Sequence, residues 1–167
     1  DGAFMTGMIA HHAQAIEMSR LAPANGASPE VQRLAERVIN AQQDEIRSMQ
    51  YWLRDRRQPA PAVNPDGILS GGGHVGHHVH MPGMLTDAQL TELRAARGRE
   101  FDRLYLLLMI QHHRGAVVMV ETLFATDGAG QDESVFKLAS DIQVDQRTEI
   151  ARMERMFAGL PAERPSR

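Results

Sequence analysis

The sequence predicts an all-α chain: a four-helix bundle assembled from two copies of one helical hairpin and joined by a long crossover. Three observations carry that expectation. Apolar residues recur at helical spacing through four long stretches, and nowhere does the strict alternation of a half-buried strand appear. The second half of the chain repeats the first, polar residues included. Between the halves, residues 57–85 collect Pro59, Pro61, Pro65 and Pro82 among many glycines, including Gly71-Gly72-Gly73. Such a segment sustains neither a helix nor a sheet ladder.

The first helix is expected from about Asp1 to Leu21, where Pro23 and Asn25-Gly26 stop it. Ser28-Pro29-Glu30 then supplies an N-cap, a proline at the first helical position and an early acid. The second helix runs from there to about Arg56. Thr86-Asp87-Ala88-Gln89 has the form of a capping box and opens a short helix. The third long helix covers about Arg99 to Thr126, and Asp127-Gly128 ends it. A fourth starts near Asp132 or Ser134 and stops at Gly159 and Pro161. The expected organisation is one domain over 1–167: hairpin 1–56, Gly/Pro/His linker 57–85, short helix 86–98 and hairpin 99–158. The linker is long enough to span the bundle as a crossover, as in ferritin-like folds.

The repeat is specific. Met8-Ile9-Ala10-His11-His12-Ala13-Gln14-Ala15 aligns with Met109-Ile110-Gln111-His112-His113-Arg114-Gly115-Ala116. Asp1 then pairs with Asp102, and Phe4 with Tyr105. In the following helices Leu34-Ala35, Val38, Gln42, Glu45, Ile46 and Met49 match Leu138-Ala139, Ile142, Gln146, Glu149, Ile150 and Met153. Generic amphipathic patterning repeats apolar positions; here His, Gln and Glu repeat too.

Composition narrows the functional classes. At 167 residues, folding removes roughly 70% of the extended chain's surface from water, enough for a real core. A net charge of −3 and the absence of any cationic cluster beyond the short Arg54-Asp55-Arg56-Arg57 run argue against a nucleic-acid partner. No apolar stretch approaches the roughly 20 residues needed to span a bilayer. With no cysteine, neither a disulfide frame nor a thiolate metal site is available. Asp1-Gly2-Ala3-Phe4 reads as the start of a trimmed domain, with a signal or anchor removed upstream.

Ten Met and eight His stand out against five Phe, two Tyr and one Trp, and their positions matter more than their number. At 100° per residue, Phe4, Met8, His11, Ala15 and Met18 form one stripe of the first helix, flanked by Asp1, Met5 and His12. Tyr105, Met109, His112, Ala116 and Met119 repeat the stripe, flanked by Asp102, Leu106 and His113. Gln42 and Glu45 lie at core spacing on the second helix, Gln146 and Glu149 on the fourth. A bundle would therefore bury four His, two Glu and two Gln. Such groups must meet each other, water or a metal, because burial without a partner costs several kcal/mol. Glu45 and Glu149 are positioned to orient imidazoles, with Gln42, Gln146, Asp1 and Asp102 as further supporting groups. Met8 and Met109 precede the His pairs by three and four residues on the same face, a spacing that brings side chains to one ion.

The linker offers a second candidate. His74, His77, His78, His80, Met81 and Met84 fall within eleven residues, among glycines that let backbone fold around an ion. Thioethers are soft and select Cu(I), while imidazole serves Cu(I), Cu(II) and zinc. A cysteine-free Met/His site thus points to a copper ion ahead of zinc, and to an oxidising, extracytoplasmic setting. Di-iron is disfavoured: Gln42-x-x-Glu45 and Gln146-x-x-Glu149 stand where ferritin-like sites use Glu-x-x-His.

The sequence resembles the domain of unknown function family 305 (DUF 305), whose members include secreted cyanobacterial copper-binding proteins. The resemblance rests on Phe4-Met5-x-x-Met8-Ile9-x-His11-His12-x-x-Ala15-Ile16-x-Met18 and on Gln42-x-x-Glu45-Ile46-x-x-Met49-x-x-Trp52-Leu53. It continues through Met81-Pro82-Gly83-Met84, Phe101-Asp102-Arg103, Met109-Ile110-x-His112-His113-x-Gly115-Ala116 and Gln146-x-x-Glu149-Ile150, covering nearly the whole chain. It implies a ferritin-like four-helix bundle, usually exported, with copper binding shown for some members and no established enzymatic activity. By the same resemblance the ligand positions are Met8, His11, His12, Met109, His112 and His113, with Met5, Met18 and Met119 as weaker candidates. Leu106 stands where the first repeat has Met5, so a strictly symmetric Met site is not expected.

The expected function is extracytoplasmic copper binding for buffering, resistance or delivery, and the partners left open are a second copy of the chain or a copper-delivery protein. Two other readings share the same residues: a metal-dependent enzyme using the buried His/Glu layer, and a structural helical domain whose polar layer only sets register.

Overall fold

The computed structural model of the chain describes residues 1–70 and 81–161, and in it the apolar periodicity resolves into five helices. These are α1 (Gly2–Arg20), α2 (Pro29–Asp55), α3 (Asp87–Ala95), α4 (Gly98–Ala125) and α5 (Glu133–Ala158). Among the described residues, β pairing is limited to an isolated bridge between Val63 and Leu69. The ends follow local chemistry. Ser28 caps α2 by accepting from the Val31 N–H, with Pro29 at its first position. Thr86 and Gln89 form both bonds of a capping box at α3. Asp132, not Ser134, caps α5. The short helix stops at Ala95 because Ala96 and Arg97 turn extended, and α4 begins directly after them.

Each hairpin packs on itself, α1 on α2 and α4 on α5, and the two meet across α1 and α4. The order of contacts along α1 and α4 is antiparallel. Ser19 Oγ lies 2.7 Å from Tyr105 Oη near one end, and the His11 and His112 rings meet in the middle. At the other end, a Cβ added at Gly7 would touch Met119. His11 and His112 are the same position of the repeat, so the duplication becomes an approximate two-fold axis on which a residue faces its own copy.

The axis carries the polar layer, and an apolar cluster lies on each side. One joins Ala15 and Met18 to Val31–Val38 on α2, Phe101–Ile110 on α4 and Met153 on α5. The other joins Phe4–Ile9 to Ile39–Leu53 on α2, Ala116–Leu123 on α4 and Val135–Ile142 on α5. Each wholly buried large apolar side chain contributes about 1.5–3 kcal/mol, so the halves hold the layer shut from both sides.

Asp1 and Asp102, expected to support the histidines, go elsewhere. Asp1 Oδ1 accepts from Gly130 N–H at 2.7 Å, in the α4–α5 loop. The Asp102 carboxylate accepts from Ser28 N–H at 3.1 and 3.3 Å, in the α1–α2 loop. Each sits about ten residues, or roughly 15 Å of helix, before its His pair, which is too far to reach it. The repeated aspartate ties each hairpin to the other's loop.

Asp102 is buried, so Asp102→Ala strands the Ser28 N–H and removes a charge-assisted bond. We expect a loss of about 1–3 kcal/mol in urea unfolding, whereas Asp66→Ala on the exposed loop stays within about 0.5 kcal/mol of wild type.

Candidate metal centre

Adjacent residues on a helix point 100° apart, so each His-His pair divides its work. His11 and His112 face the two-fold axis, with ring centroids 3.8 Å apart and planes inclined by 38°. His12 and His113 turn toward their own hairpins. His12 Nε2 bonds Glu45 Oε2 closely, and His113 Nε2 lies 2.6 Å from Glu149 Oε2. Within each pair the rings stand 6.5 and 6.2 Å apart. All four histidines are buried.

The partners assign the protons. Carboxylate and carbonyl oxygens only accept, so His12 and His113 each donate from Nε2, and His11 donates from Nε2 to the Pro82 carbonyl at 2.9 Å. That leaves Nδ1 of these three rings facing protein. Among the described residues, Nδ1 of all four histidines and Nε2 of His112 are buried with no hydrogen-bond partner of normal geometry. The Oε1 atoms of Gln42 and Gln146 are in the same condition. Each unmade bond of this kind costs about 1–3 kcal/mol.

Burial sets the electrostatics. It lowers the His11 pKa to about 3, assisted by neighbouring His12 and His113 and opposed by the bond to Pro82. It holds His112 well below the ordinary histidine value, with His11, His113 and His12 adding to the effect and the His11 backbone opposing it. Asp145 on α5 is raised, by partial burial and then by Glu45 and Glu149, which places a third carboxylate near the outer edge of the layer.

The polar residues are thus organised as pairs. Among the described residues, no three His, Asp or Glu side chains gather around a single point, because each outer imidazole is drawn to its own glutamate. Met8 and Met109 are wholly buried one turn before the His pairs, in opposite apolar clusters, so a thioether stands on each side of the layer. Met5 and Met18 are also wholly buried, one in each cluster, and Leu106 is buried where a second Met5 would be. Met119 and Met81 are half-buried, and both flank Gly7. Met84 is half-buried in the segment that crosses the site. His74, His77, His78 and His80 lie outside the described residues.

Sequence reasoning missed the backbone of 81–85, which lies over the His11 ring, and the residues that seat it, Gln14, Gln111 and Gly115. The one available signal was the compact Met81-Pro82-Gly83-Met84 run. It missed Asp145 as well, whose counterpart position in the first repeat carries no acid.

The fold and site define an all-helical protein in which two repeated hairpins bury a carboxylate-backed histidine layer. The chain belongs to the family described as domain of unknown function (DUF305), whose model matches residues 1–157. Among solved structures it is similar to a DUF305 protein from Streptomyces coelicolor regarded as secreted, with TM-score 0.77 and 29% identity over 98% of this chain and 95% of that one. It is also similar to CopM in the Cu(I)-bound form, with TM-score 0.72 and 28% identity over 97% of this chain and 98% of that one. CopM in the Cu(II)-bound form matches with TM-score 0.70 and 29% identity over 95% of each chain. No match was found among curated proteins.

The sign of the pH dependence follows from burial. His11 and His112 stay neutral when folded, whereas the unfolded chain takes up their protons below the ordinary value of 6.5. The unfolded state therefore binds more protons below that value, so stability is fullest above it and falls on acidification. The slope reaches roughly 1.4 kcal/mol per pH unit for each histidine. Urea midpoints of the metal-free protein between about pH 7 and pH 4 should show this slope, and His112→Leu should flatten it; a flat wild-type profile would contradict neutral burial.

Proposed function

We propose that this chain binds copper ions through its His/Met layer and buffers or delivers them outside the cytoplasm, as one ferritin-like four-helix domain. One observation carries the reading: among the described residues, five buried ring nitrogens have no hydrogen-bond partner of normal geometry. A layer kept only for register would leave that cost standing. A soft cation removes it, accepting lone pairs from imidazoles whose other nitrogen is already fixed.

The donor set selects the ion. Glu45 and Glu149 hold the Nε2 protons of His12 and His113, which orients Nδ1 and raises its basicity. Met8 and Met109 add thioethers from both sides, a donor that favours Cu(I) over zinc. His11 and His112, neutral through the physiological range, need lose no proton to bind. Met5, Met18 and Met119 are the weaker donors, and the linker residues His74, His77, His78, His80, Met81 and Met84 are a separate capture segment. Copper- and silver-bound CopM supports the reading. The export assigned to the Streptomyces relative supports the compartment, and no helix of the described residues is long and apolar enough to cross a membrane. A second copy or a delivery protein would receive the ion.

Equilibrium dialysis against Cu(I), with Ag(I) as its redox-inert substitute, tests the reading. Wild type should retain at least about one ion per chain at micromolar metal. The variant with His11, His12, His112 and His113 all changed to Asn should retain less, and a wild type that retains none refutes the proposal. Glu45→Ala with Glu149→Ala should weaken binding about 10–100-fold while leaving every ligand in place.

A further inference from the structure

The two repeats differ where one segment crosses the axis between them. Position 14 is Gln and its copy, position 115, is Gly; position 10 is Ala and its copy, position 111, is Gln. Three of these four residues touch the strap Met81–Leu85. Gln14 grips Leu85 at two points, accepting from its N–H at 2.8 Å and donating to its carbonyl at 3.2 Å. Gln111 Nε2 reaches the Gly83 carbonyl at 3.4 Å, and its own Oε1 accepts from Gln89 at 3.3 Å. Gly115 supplies space: a Cβ there would lie 1.9 Å from the Pro82 oxygen and 2.6 Å from Gly83 Cα. Gly83 answers it with φ +76°, and a Cβ there would lie 2.6 Å from the Gln111 carbonyl.

This backbone-on-helix fit has one chemical result. It delivers the Pro82 carbonyl to His11 Nε2, while His112, the copy of His11, has no partner of normal geometry among the described residues. Pro82 has no N–H, so it presents only an acceptor. An acceptor at Nε2 keeps the proton there and the lone pair on Nδ1. Leu85 is buried and forms the firm end of the strap, but Pro82 is exposed and Met81, Gly83 and Met84 are half-buried. Little apolar burial holds that stretch down. A cavity of about 390 Å³ opens beside it, lined by Phe4, Pro82, Met119 and Leu123 among others.

We infer that the strap Met81–Leu85 is a removable cover over the His11–His112 pair, and that its Pro82 carbonyl positions His11 by fixing the proton on Nε2. Closed, it presents one ring nitrogen of His11 to the interior and shuts the pair from water. Lifted, it frees both ring nitrogens and joins the pair to the adjoining cavity. Applied to metal, which rests on the copper reading above, the strap governs how fast an ion enters and leaves, while the ligands govern how tightly it is held.

Gly115→Ala forces the strap off the helix without weakening α4, since Ala is the better helix former. Gln14→Leu releases the Leu85 clamp by an independent route. In metal-free protein at neutral pH, long-range ¹H–¹⁵N spectra should show His11 of the wild type as the Nε2–H tautomer. Both variants should show mixed His11 tautomers, with His12 and His113 unchanged and thermal unfolding still cooperative. Solvent exchange of the His11 ring proton should quicken by about tenfold or more, the effect of losing two hydrogen bonds of ordinary net strength. Ag(I) uptake and release should quicken together, with affinity changing by less than about threefold. An unchanged His11 tautomer and exchange rate in both variants overturns the inference, and so does a loss of affinity without faster uptake. If wild type takes up no silver, the copper reading fails, and the metal-free spectra still decide the strap.

Discussion

Four imidazoles taken out of water at the meeting of two hairpins are the constraint to which the rest of this molecule answers. Each ring brings two nitrogens that solvent no longer satisfies. The protein supplies acceptors for three donors, through Glu45, Glu149 and the Pro82 carbonyl. Among the described residues it supplies no partner of normal geometry for Nδ1 of any of the four rings, as a polar network built for register would. A network of that kind closes on itself. This one is half-closed, and its open half consists of soft and borderline donors.

Such a layer survives only inside a strong frame. The apolar clusters on either side include Phe101, Tyr105, Met49 and Leu53, all essentially inaccessible. Asp1 and Asp102 lock each hairpin to the opposite loop. Because the same residue types recur at the same positions, the frame is nearly symmetric, and symmetry brings His11 onto His112. The strap breaks it. One segment crossing a two-fold axis meets both copies in different ways, so Gln14 and Gly115 differ although the residues around them repeat.

Much of this was legible in the chain. The helices fell within a few residues of their sequence limits, because Ser28-Pro29, the Thr86–Gln89 box and Asp132 announce their starts. The burial of His11, His12, His112 and His113 followed from their place on apolar arcs, since a helix that buries one face buries what lies on it. The destinations of Asp1 and Asp102 did not follow. Their partners are backbone N–H groups more than seventy residues away, and a backbone group carries no side-chain signature. The Pro82 carbonyl was invisible for the same reason. The pairing of His12 with Glu45 and His113 with Glu149 could be anticipated in kind, but the division of each His-His motif between the axis and its own hairpin needed the helices placed.

By itself, the sequence determined which residues are inside and what chemistry they bring, because periodicity and residue type are local properties that survive without coordinates. It determined the duplication, and with it a layer of repeated His, Glu and Gln. Only the tertiary structure decided which ring nitrogen of His11, His12 and His113 meets a partner. That depends on the approach of a carboxylate or carbonyl to within about 3 Å, a distance set by how helices and a strap far apart in the chain settle against one another.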